Sequence, residues 1–367
     1  MKVSIGSKVI DGPWGGGNLF VKNLTNFLIA NGHEVIYDLA EKDIDLILLT
    51  DPRNRKESSS TFNHIDIYKY KKYVNSGVKV VQRINECDER KGTQNINQFY
   101  LEASNAADMV VFVSSWLKNI YVDLGMKEHK TKVILAGADS KIFNSQNKSV
   151  WKKSEKIKLV THHWSSHENK GFETYKKIND LIKTEKWANK LEFSYIGNVH
   201  PNYQLENTNL IEPLAGEELA NEIKKNHIYV TASINEPSGN HHIEAAQCGL
   251  PVLFIDSGGV PEYCRNFGLS FKENFEESLE IIMQKYDYFN KKLTEYPFSA
   301  VKMCEEYNKL FKELLESNDI SSGEQYKIIG KLFLLKNKFF KLFRYTIISN
   351  LKTKIRKLVK MKFKKWI

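Results

Sequence analysis

Two kinds of segment alternate along most of this chain, and the alternation restricts its possible folds more than any other feature. Short runs rich in β-branched residues are followed by longer amphipathic segments, which is typical of parallel strands joined by helices. The strands expected in the first half are 2–6, 34–38, 44–50, 78–84, 108–114 and 131–136. Apolar residues from Leu19 to Leu28 recur at helical spacing ahead of Gly32, which predicts a helix that ends there. The pattern indicates an α/β protein.

The pattern stops in the polar segment 142–156, which we interpret as a linker, and then begins again. The strands expected in the second half are 156–162, 191–197, 227–233 and 250–256, and the helices are 171–187, 215–225, 240–248 and 275–293. At 367 residues the chain is longer than a usual single core. It is therefore predicted to form two Rossmann-like domains whose strand ends face each other across a cleft, where a ligand site is expected.

The composition fits a soluble globular protein, with 41% hydrophobic and 27% charged residues. The four cysteines form no C-x-x-C pair, which is more typical of a reducing compartment than of a secreted protein. The first residues lack the apolar core of a signal peptide, and no run of 18 uncharged apolar residues occurs. We therefore expect a cytoplasmic location and no membrane-spanning helix.

A glycine-rich loop, GPWGGGN at 12–18, follows the first expected strand and begins the first expected helix. The amide groups and dipole of a helix N-terminus favour an anion such as a phosphate. Gly15 and Gly17 give G-x-G, but the third glycine of a dinucleotide-binding motif is replaced by Phe20. The loop indicates either an anion site or only a tight turn.

The segment NEPSGNHHIEAA at 235–246 contains two carboxylates eight residues apart, Glu236 and Glu244. Pro237 and Gly239 place the first in a loop and the second inside a helix. At about 1.5 Å of rise per helical residue they are separated by roughly 10 Å, too far to share a proton. They are better suited to holding two ends of an elongated ligand whose negative middle contacts the helix N-terminus. A capped surface helix with one favourably placed glutamate is the alternative.

The order of residues around this segment is similar to that of a known family. Over 209–263 the chain resembles the donor-binding half of the GT-B nucleotide-sugar glycosyltransferases, in particular the retaining family 4, also described as glycosyl transferases group 1. The matching positions are Ala232-Ser233, Glu236, Glu244-Ala245, Gly249-Leu250-Pro251-Val252, Gly258-Gly259 and Glu262. Similar segments at 110–126, 133–143, 169–178 and 297–314 extend the resemblance to residues 1–318, although the family's asparagine before a glycine is Ala136 here.

The resemblance and the pattern together predict four parts of the chain. They are an acceptor domain at 1–148, a nucleotide-sugar donor domain at 149–296, a closing helix at 297–318 that packs back on the first domain, and a basic amphipathic tail at 319–367.

Carried over by position, the resemblance implies a role for each matching residue. Glu236 would hold the transferred sugar, Glu244 the ribose hydroxyls, and Lys170 would neutralise the diphosphate. Further donor contacts are implied at Gly16, Gly17, Gly197, Gly239, Asn240 and His241. The resemblance also implies that the departing phosphate oxygen takes the acceptor's proton, with retention of configuration. The resemblance therefore implies no side-chain base, no metal and no other cofactor.

One position departs from the family. The arginine usually found six residues before Lys170, which is a second cation on the diphosphate, is Trp164 here. Its loss removes stabilisation of the leaving group. The candidate replacements are His162, His163, His167 and Arg83. The alternative is that the histidines only satisfy hydrogen bonds at the strand end.

The family's acceptor-side histidine is not evident either. Polar residues cluster instead at the end of the expected strand 78–84, at Arg83, Asn85, Glu86, Asp88 and Arg90. Strand ends line ligand sites in folds of this kind. We expect these residues to form the acceptor wall, with a charged surface loop as the alternative.

The C-terminal segment 327–367 contains twelve lysines, two arginines and no acid. Its charge of +14, set against +10 for the whole chain, leaves −4 for residues 1–326. Apolar residues recur at helical spacing, at Ile328, Leu332, Leu335, Phe339 and Leu342 and again at Leu351, Ile355 and Leu358. A basic helix with such a stripe is typical of one that lies in an anionic lipid interface. Nucleic acid is not expected, because it requires charge rather than a wide apolar stripe. A partner protein is the remaining alternative.

Together these features predict a retaining glycosyltransferase (EC 2.4) attached peripherally to the inner face of the cytoplasmic membrane. It would move a sugar from a nucleotide-diphosphate donor to a lipid-linked or cell-envelope glycan. The first alternative is a nucleotide-sugar epimerase or hydrolase on the same fold. The second is a catalytically idle subunit that binds nucleotide-sugar within a glycan-assembly complex, and Trp164 is the residue that favours it.

Overall fold

The computed structural model describes residues 1–9, 15–53, 58–272, 274–316 and 327–342. The first half forms a sheet of six parallel strands in the order β2-β1-β3-β4-β5-β6. These strands are β1 (Lys2–Ile5), β2 (Glu34–Ile36), β3 (Leu46–Leu49), β4 (Lys79–Ile84), β5 (Met109–Phe112) and β6 (Thr131–Val133). The helices of this half are α1 (Gly16–Ala30), α2 (His64–Tyr73), α3 (Asp88–Lys91), α4 (Ile96–Ala103) and α5 (Ser115–Asp123).

The second half forms another parallel sheet, in the order β12-β11-β10-β7-β8-β9. Its strands are β7 (Ile157–His163), β8 (Leu191–Gly197), β9 (Asn209–Ile211), β10 (Ile228–Thr231), β11 (Val252–Ile255) and β12 (Gly268–Phe271). Its helices are α6 (Phe172–Leu181), α7 (Gly216–Lys224), α8 (Asn240–Gln247), α9 (Val260–Cys264), α10 (Phe275–Gln284) and α11 (Tyr286–Leu293).

Both sheets are covered by helices, which explains their continuous apolar strands. Every residue of β3 (LILL) and β10 (IYVT) is buried, as expected for strands with helices on both faces. The strand order reverses between β1 and β3 in the first sheet and between β7 and β10 in the second. Ligands bind at such reversals, beyond the carboxyl ends of the strands. The N-termini of α1 and α8 therefore lie where a site is expected.

The last helix of the globular body, α12 (Ala300–Glu316), returns to the first half. Tyr307 packs on Phe20 of α1, with 5.2 Å between ring centres. The chain crosses over beside Gly137, where an added Cβ would lie 2.2 Å from the carbonyl of Ser299. A side chain at Gly137 would thus displace the backbone at Ser299, where the chain enters α12. The helix α12, which follows the second half in sequence, thereby connects that half to the first.

A further helix, α13 (Lys327–Leu342), lies against α2 of the first half. Phe333 faces Tyr70 at 6.4 Å between ring centres, and an added Cβ on Gly330 would lie 2.3 Å from the carbonyl oxygen of Tyr73. The opposite face of α13 is exposed, with Leu332 and Leu335 each at 61%. Among the described residues, no helix is long and apolar enough to cross a membrane. The predicted stripe residues 342–358 lie outside the side chains that the structure describes.

The predicted α/β fold with two facing Rossmann-like halves is confirmed by this architecture. Ten strands were expected, and each has a counterpart within a few residues. The expected helix 275–293 is two helices, because the chain breaks at Lys285 between α10 and α11.

Candidate active site

The N-termini of α1 and α8 meet between the two halves. Each is preceded by a glycine, Gly15 or Gly239, which has no side chain to cap the helix. Gly16 lies against Asn240, since an added Cβ on Gly16 would be 2.8 Å from Asn240 Oδ1. The two helix dipoles and their first amide groups are therefore directed at one region from opposite sides. This arrangement favours an anion between the halves.

Glu236 lies in the loop before α8 and is held by two cations. Its Oε2 is 2.5 Å from Lys170 Nζ, and its Oε1 is 3.3 Å from Arg90 Nε. Burial raises the pKa of Glu236, but the charges of Lys170 and Arg90 outweigh burial and hold that pKa at about 2. Glu236 is therefore ionised at neutral pH. It can accept hydrogen bonds from a ligand but cannot supply a proton.

Glu244 lies in the second turn of α8 and is paired with a histidine. Its Oε2 is 3.0 Å from His162 Nε2, and His162 Nδ1 lies 3.2 Å from the hydroxyl of Tyr229. Both residues of the pair are largely buried. The structure thus holds Glu236 and Glu244 by separate partners, at two different points around the start of α8.

The histidines beside this pair, His163 and His241, are buried and form hydrogen bonds with core side chains. His163 Nε2 is 2.6 Å from the Tyr175 hydroxyl, and His241 Nε2 is 2.8 Å from Thr231 Oγ1. Burial lowers the pKa of His163 and of His241 well below the usual value, so both rings are neutral at pH 7. Neutral buried rings do not replace the missing arginine. Gly197 passes close by, and an added Cβ there would lie 2.0 Å from the His163 carbonyl oxygen.

The other candidates for that cation are also engaged elsewhere. His167 Nδ1 accepts a hydrogen bond from the amide of Asn169 at 3.2 Å. The guanidinium of Arg83 is buried 4.1 Å from the ring centre of Phe20, and burial lowers its pKa. Trp164 itself is 53% exposed. Arg90 is the cation that the structure places beside Lys170.

The residues expected at the acceptor wall have different positions. Arg83 is a core side chain rather than a wall residue, because alternate side chains of a strand point to opposite faces. Asp88 accepts hydrogen bonds from the amides of Ile96 and Asn97, both at 3.0 Å, and so holds the loop between α3 and α4. Glu86 is buried, whereas Asn85 is half-buried.

Two contacts between the halves could not be read from the sequence. Glu262 accepts hydrogen bonds from the amides of Ser115 (2.9 Å) and Trp116 (3.0 Å), so it caps α5 of the opposite half. Arg90, in α3, reaches Glu236 across the same boundary. The sequence contained the signal for Glu262, which belongs to the family motif, but nothing in it indicated the residue's partner.

The fold is that of the GT-B glycosyltransferases. A glycosyltransferase from Rickettsia africae has a TM-score of 0.63 at 14% identity, over 86% of this chain and 99% of that chain. Sucrose-phosphate synthase from Thermosynechococcus elongatus has a TM-score of 0.62 at 15% identity, over 86% and 100%. HepE from Anabaena, solved with UDP and glucose, has a TM-score of 0.61 at 13% identity, over 85% and 99%.

Residues 198–288, which include Glu236 and Glu244, match the family described as glycosyl transferases group 1. This match confirms the predicted resemblance over residues 198–288. A curated relative, the phosphatidylinositol N-acetylglucosaminyltransferase gpi3 subunit of Schizosaccharomyces pombe, is 27% identical over 128 residues. That match covers 30% of this chain and 28% of the relative's length.

Proposed function

We propose that the protein transfers a sugar, with retention, from a nucleoside-diphosphate sugar to a lipid-linked or cell-envelope glycan. The observation that supports this most directly is the meeting of two helix N-termini beside Lys170 and Glu236. Glycosyl transfer is supported by the group 1 match of residues 198–288. A nucleotide-sugar donor is supported by the HepE structures, which contain UDP and glucose or UDP-glucose.

The chemistry follows from where negative charge develops. As the bond between the sugar and the diphosphate breaks, charge accumulates on the departing phosphate, and preorganised dipoles and cations stabilise it. In this proposal the N-termini of α1 and α8 and the ammonium of Lys170 supply that stabilisation. Positive charge is thus supplied by the chain itself, and we propose no metal or other cofactor.

The two glutamates hold the donor rather than exchange protons. Glu236, ionised with a pKa of about 2, accepts hydrogen bonds from hydroxyls of the transferred sugar. Glu244, oriented by His162, accepts them from the ribose. The acceptor hydroxyl passes its proton to the departing phosphate oxygen on the same face of the sugar. No side-chain base is needed, and the protein contributes position and electrostatic stabilisation.

The acceptor class is proposed from the exposed face of α13. This helix presents apolar side chains outward and belongs to a segment with a charge of +14. Such a surface suits an anionic membrane, and attachment there brings a lipid-linked acceptor to the enzyme. An idle nucleotide-sugar-binding subunit is the second candidate function, because Trp164 stands where the family has an arginine.

Replacement of Glu244 tests the donor site. A Glu244→Ala variant is expected to bind nucleoside diphosphates roughly 10- to 100-fold more weakly, since a hydrogen bond to a charged group contributes about 1.5–3 kcal/mol. Isothermal titration with UDP, GDP and ADP measures this, and thermal melting verifies folding. The matched control is Glu218→Ala, which removes an exposed carboxylate of α7. Parental affinity in Glu244→Ala would show that the site is assigned wrongly.

A further inference from the structure

We propose that Arg90 is the second cation on the donor's diphosphate, supplied by the first half of the chain across the cleft. This inference rests on the proposed function. At the strand end after β7, where the family has an arginine, the second half has the neutral and exposed Trp164. Among the described residues, Lys170 is the one cation of the second half in an ion pair with Glu236. The other cation paired with Glu236 in the described residues, Arg90, comes from the first half.

Arg90 is placed to fill that role. Its Nε is 3.3 Å from Glu236 Oε1, so Arg90 and Lys170 occupy the two oxygens of one carboxylate. Two cations held this close can contact neighbouring phosphates of a single diphosphate. The guanidinium is also the better partner, because its planar fork of donors matches phosphate oxygens and remains charged.

Glu86 orients Arg90 from behind. Its Oε1 is 3.5 Å from Arg90 Nη1, and its Oε2 is 3.3 Å from Lys91 Nζ. The contacts with Glu236 and Glu86 use Nε and Nη1, so neither requires the second terminal nitrogen of the guanidinium. Lys91 pairs with Glu86 and not with Glu236, whereas Arg90 contacts both carboxylates.

The backbone around Arg90 is attached to the second half by two asparagines. Asn169 donates to the carbonyl oxygen of Arg90 at 2.8 Å, and Asn235 donates to that of Glu89 at 3.0 Å. Asn169 directly precedes Lys170, and Asn235 directly precedes Glu236. The contacts that hold α3 against the second half are thus made by the neighbours of the site residues. As a consequence, the diphosphate has both cations only when the two halves are together.

The test compares Arg90→Ala with Lys91→Ala. Lys91 is the matched control, because it belongs to the same helix and pairs with the same Glu86 but not with Glu236. We expect Arg90→Ala to lower kcat for the donor by roughly 100-fold, the usual effect of losing one donor that stabilises developing charge. It should also weaken binding of a nucleoside diphosphate while leaving the matching monophosphate unchanged. Lys91→Ala should stay within about twofold of the parent in both measurements.

A second variant distinguishes loss of the cation from loss of folding. Trp164→Arg, introduced into Arg90→Ala, restores a cation at the family's position. It should raise kcat at least tenfold above that of Arg90→Ala, whereas an unfolded protein would not recover activity. Equal kcat and equal diphosphate affinity in Arg90→Ala and Lys91→Ala would overturn the inference. If the parent turns over no donor, the proposed function fails, and the comparison of diphosphate with monophosphate binding still decides the role of Arg90.

Discussion

At the scale of single residues, burial and neighbouring charges have opposite effects on the ionisation of Glu236. Glu236 is 4% exposed, and a lone carboxylate at such a position would tend to take up a proton. The cations Lys170 and Arg90 reverse this tendency and keep the carboxylate ionised. Truncation of either cation would leave a buried charge less well compensated. Each member of the group therefore depends on the others, and their effects on activity are not expected to add.

The buried histidines predict an acid-sensitive fold. Burial lowers the pKa of His242 to about 3, with Glu236 acting against and Lys170 adding to that shift. An unfolded histidine has a pKa of about 6.5. Below pH 6.5 the unfolded state gains a proton that the folded state does not, so stability is full above 6.5 and falls as the pH drops toward 3. Thermal melting between pH 7.5 and 4.5 should show a midpoint that is constant down to about pH 6.5 and falls below it.

A variant identifies which histidine is responsible. His242→Asn removes a buried titrating ring and should make the dependence of the melting midpoint on pH shallower. His129→Asn changes an exposed histidine and is the control. An unchanged slope in His242→Asn would contradict the assignment of acid sensitivity to this ring.

What the sequence could predict at this scale depended on spacing along the chain. Glu236 and Glu244 were found because a loop and a helix of fixed geometry separate them. Arg90 was recognised as part of a polar cluster, but its contact with Glu236 joins residues far apart in sequence and depends on how the two halves meet. Arg83 was assigned to the acceptor wall from its position near a strand end. Its side chain points instead to the buried face beside Phe20.

At the scale of elements, the strands in the middle of each sheet were predictable and two edge strands were not. β3 and β10 are continuous apolar runs, which is a strong signal. β9 has three residues and is mostly exposed, and β12 has four, so neither shows a distinct pattern. The division of 275–293 into α10 and α11 was also missed, since no glycine or proline marks the break at Lys285.

The exposed apolar face of α13 is expected to contribute to membrane binding. Leu335 is 61% exposed on the stripe, and burial of a leucine contributes about 1.5–3 kcal/mol. A Leu335→Glu variant should therefore bind vesicles containing phosphatidylglycerol roughly 10- to 100-fold more weakly in a flotation assay. Val301→Glu is the control, because Val301 is 50% exposed but lies on α12. Parental binding by Leu335→Glu, or no vesicle binding by the parent, would contradict membrane attachment.

At the scale of the whole molecule, the two halves are connected by more than the linker. The helix α12 packs on α1, Glu262 caps α5, and the asparagines of the second half bind the α3 segment. Two facing domains with an intervening cleft could be predicted from the repeated strand and helix pattern. The way the halves meet could not, because it depends on long-range side-chain contacts that have no local signature.

The measurement that tests the central claim most directly is turnover of a panel of nucleoside-diphosphate sugars in the presence of membrane lipid extract, with mass detection of the glycosylated product. The account predicts that one donor releases its nucleoside diphosphate and gives a lipid-linked product. It also predicts that the anomeric configuration is retained and that Glu236→Ala abolishes the reaction. Release of free sugar without acceptor, an inverted product, or no turnover of any donor while nucleotide binding persists would contradict it.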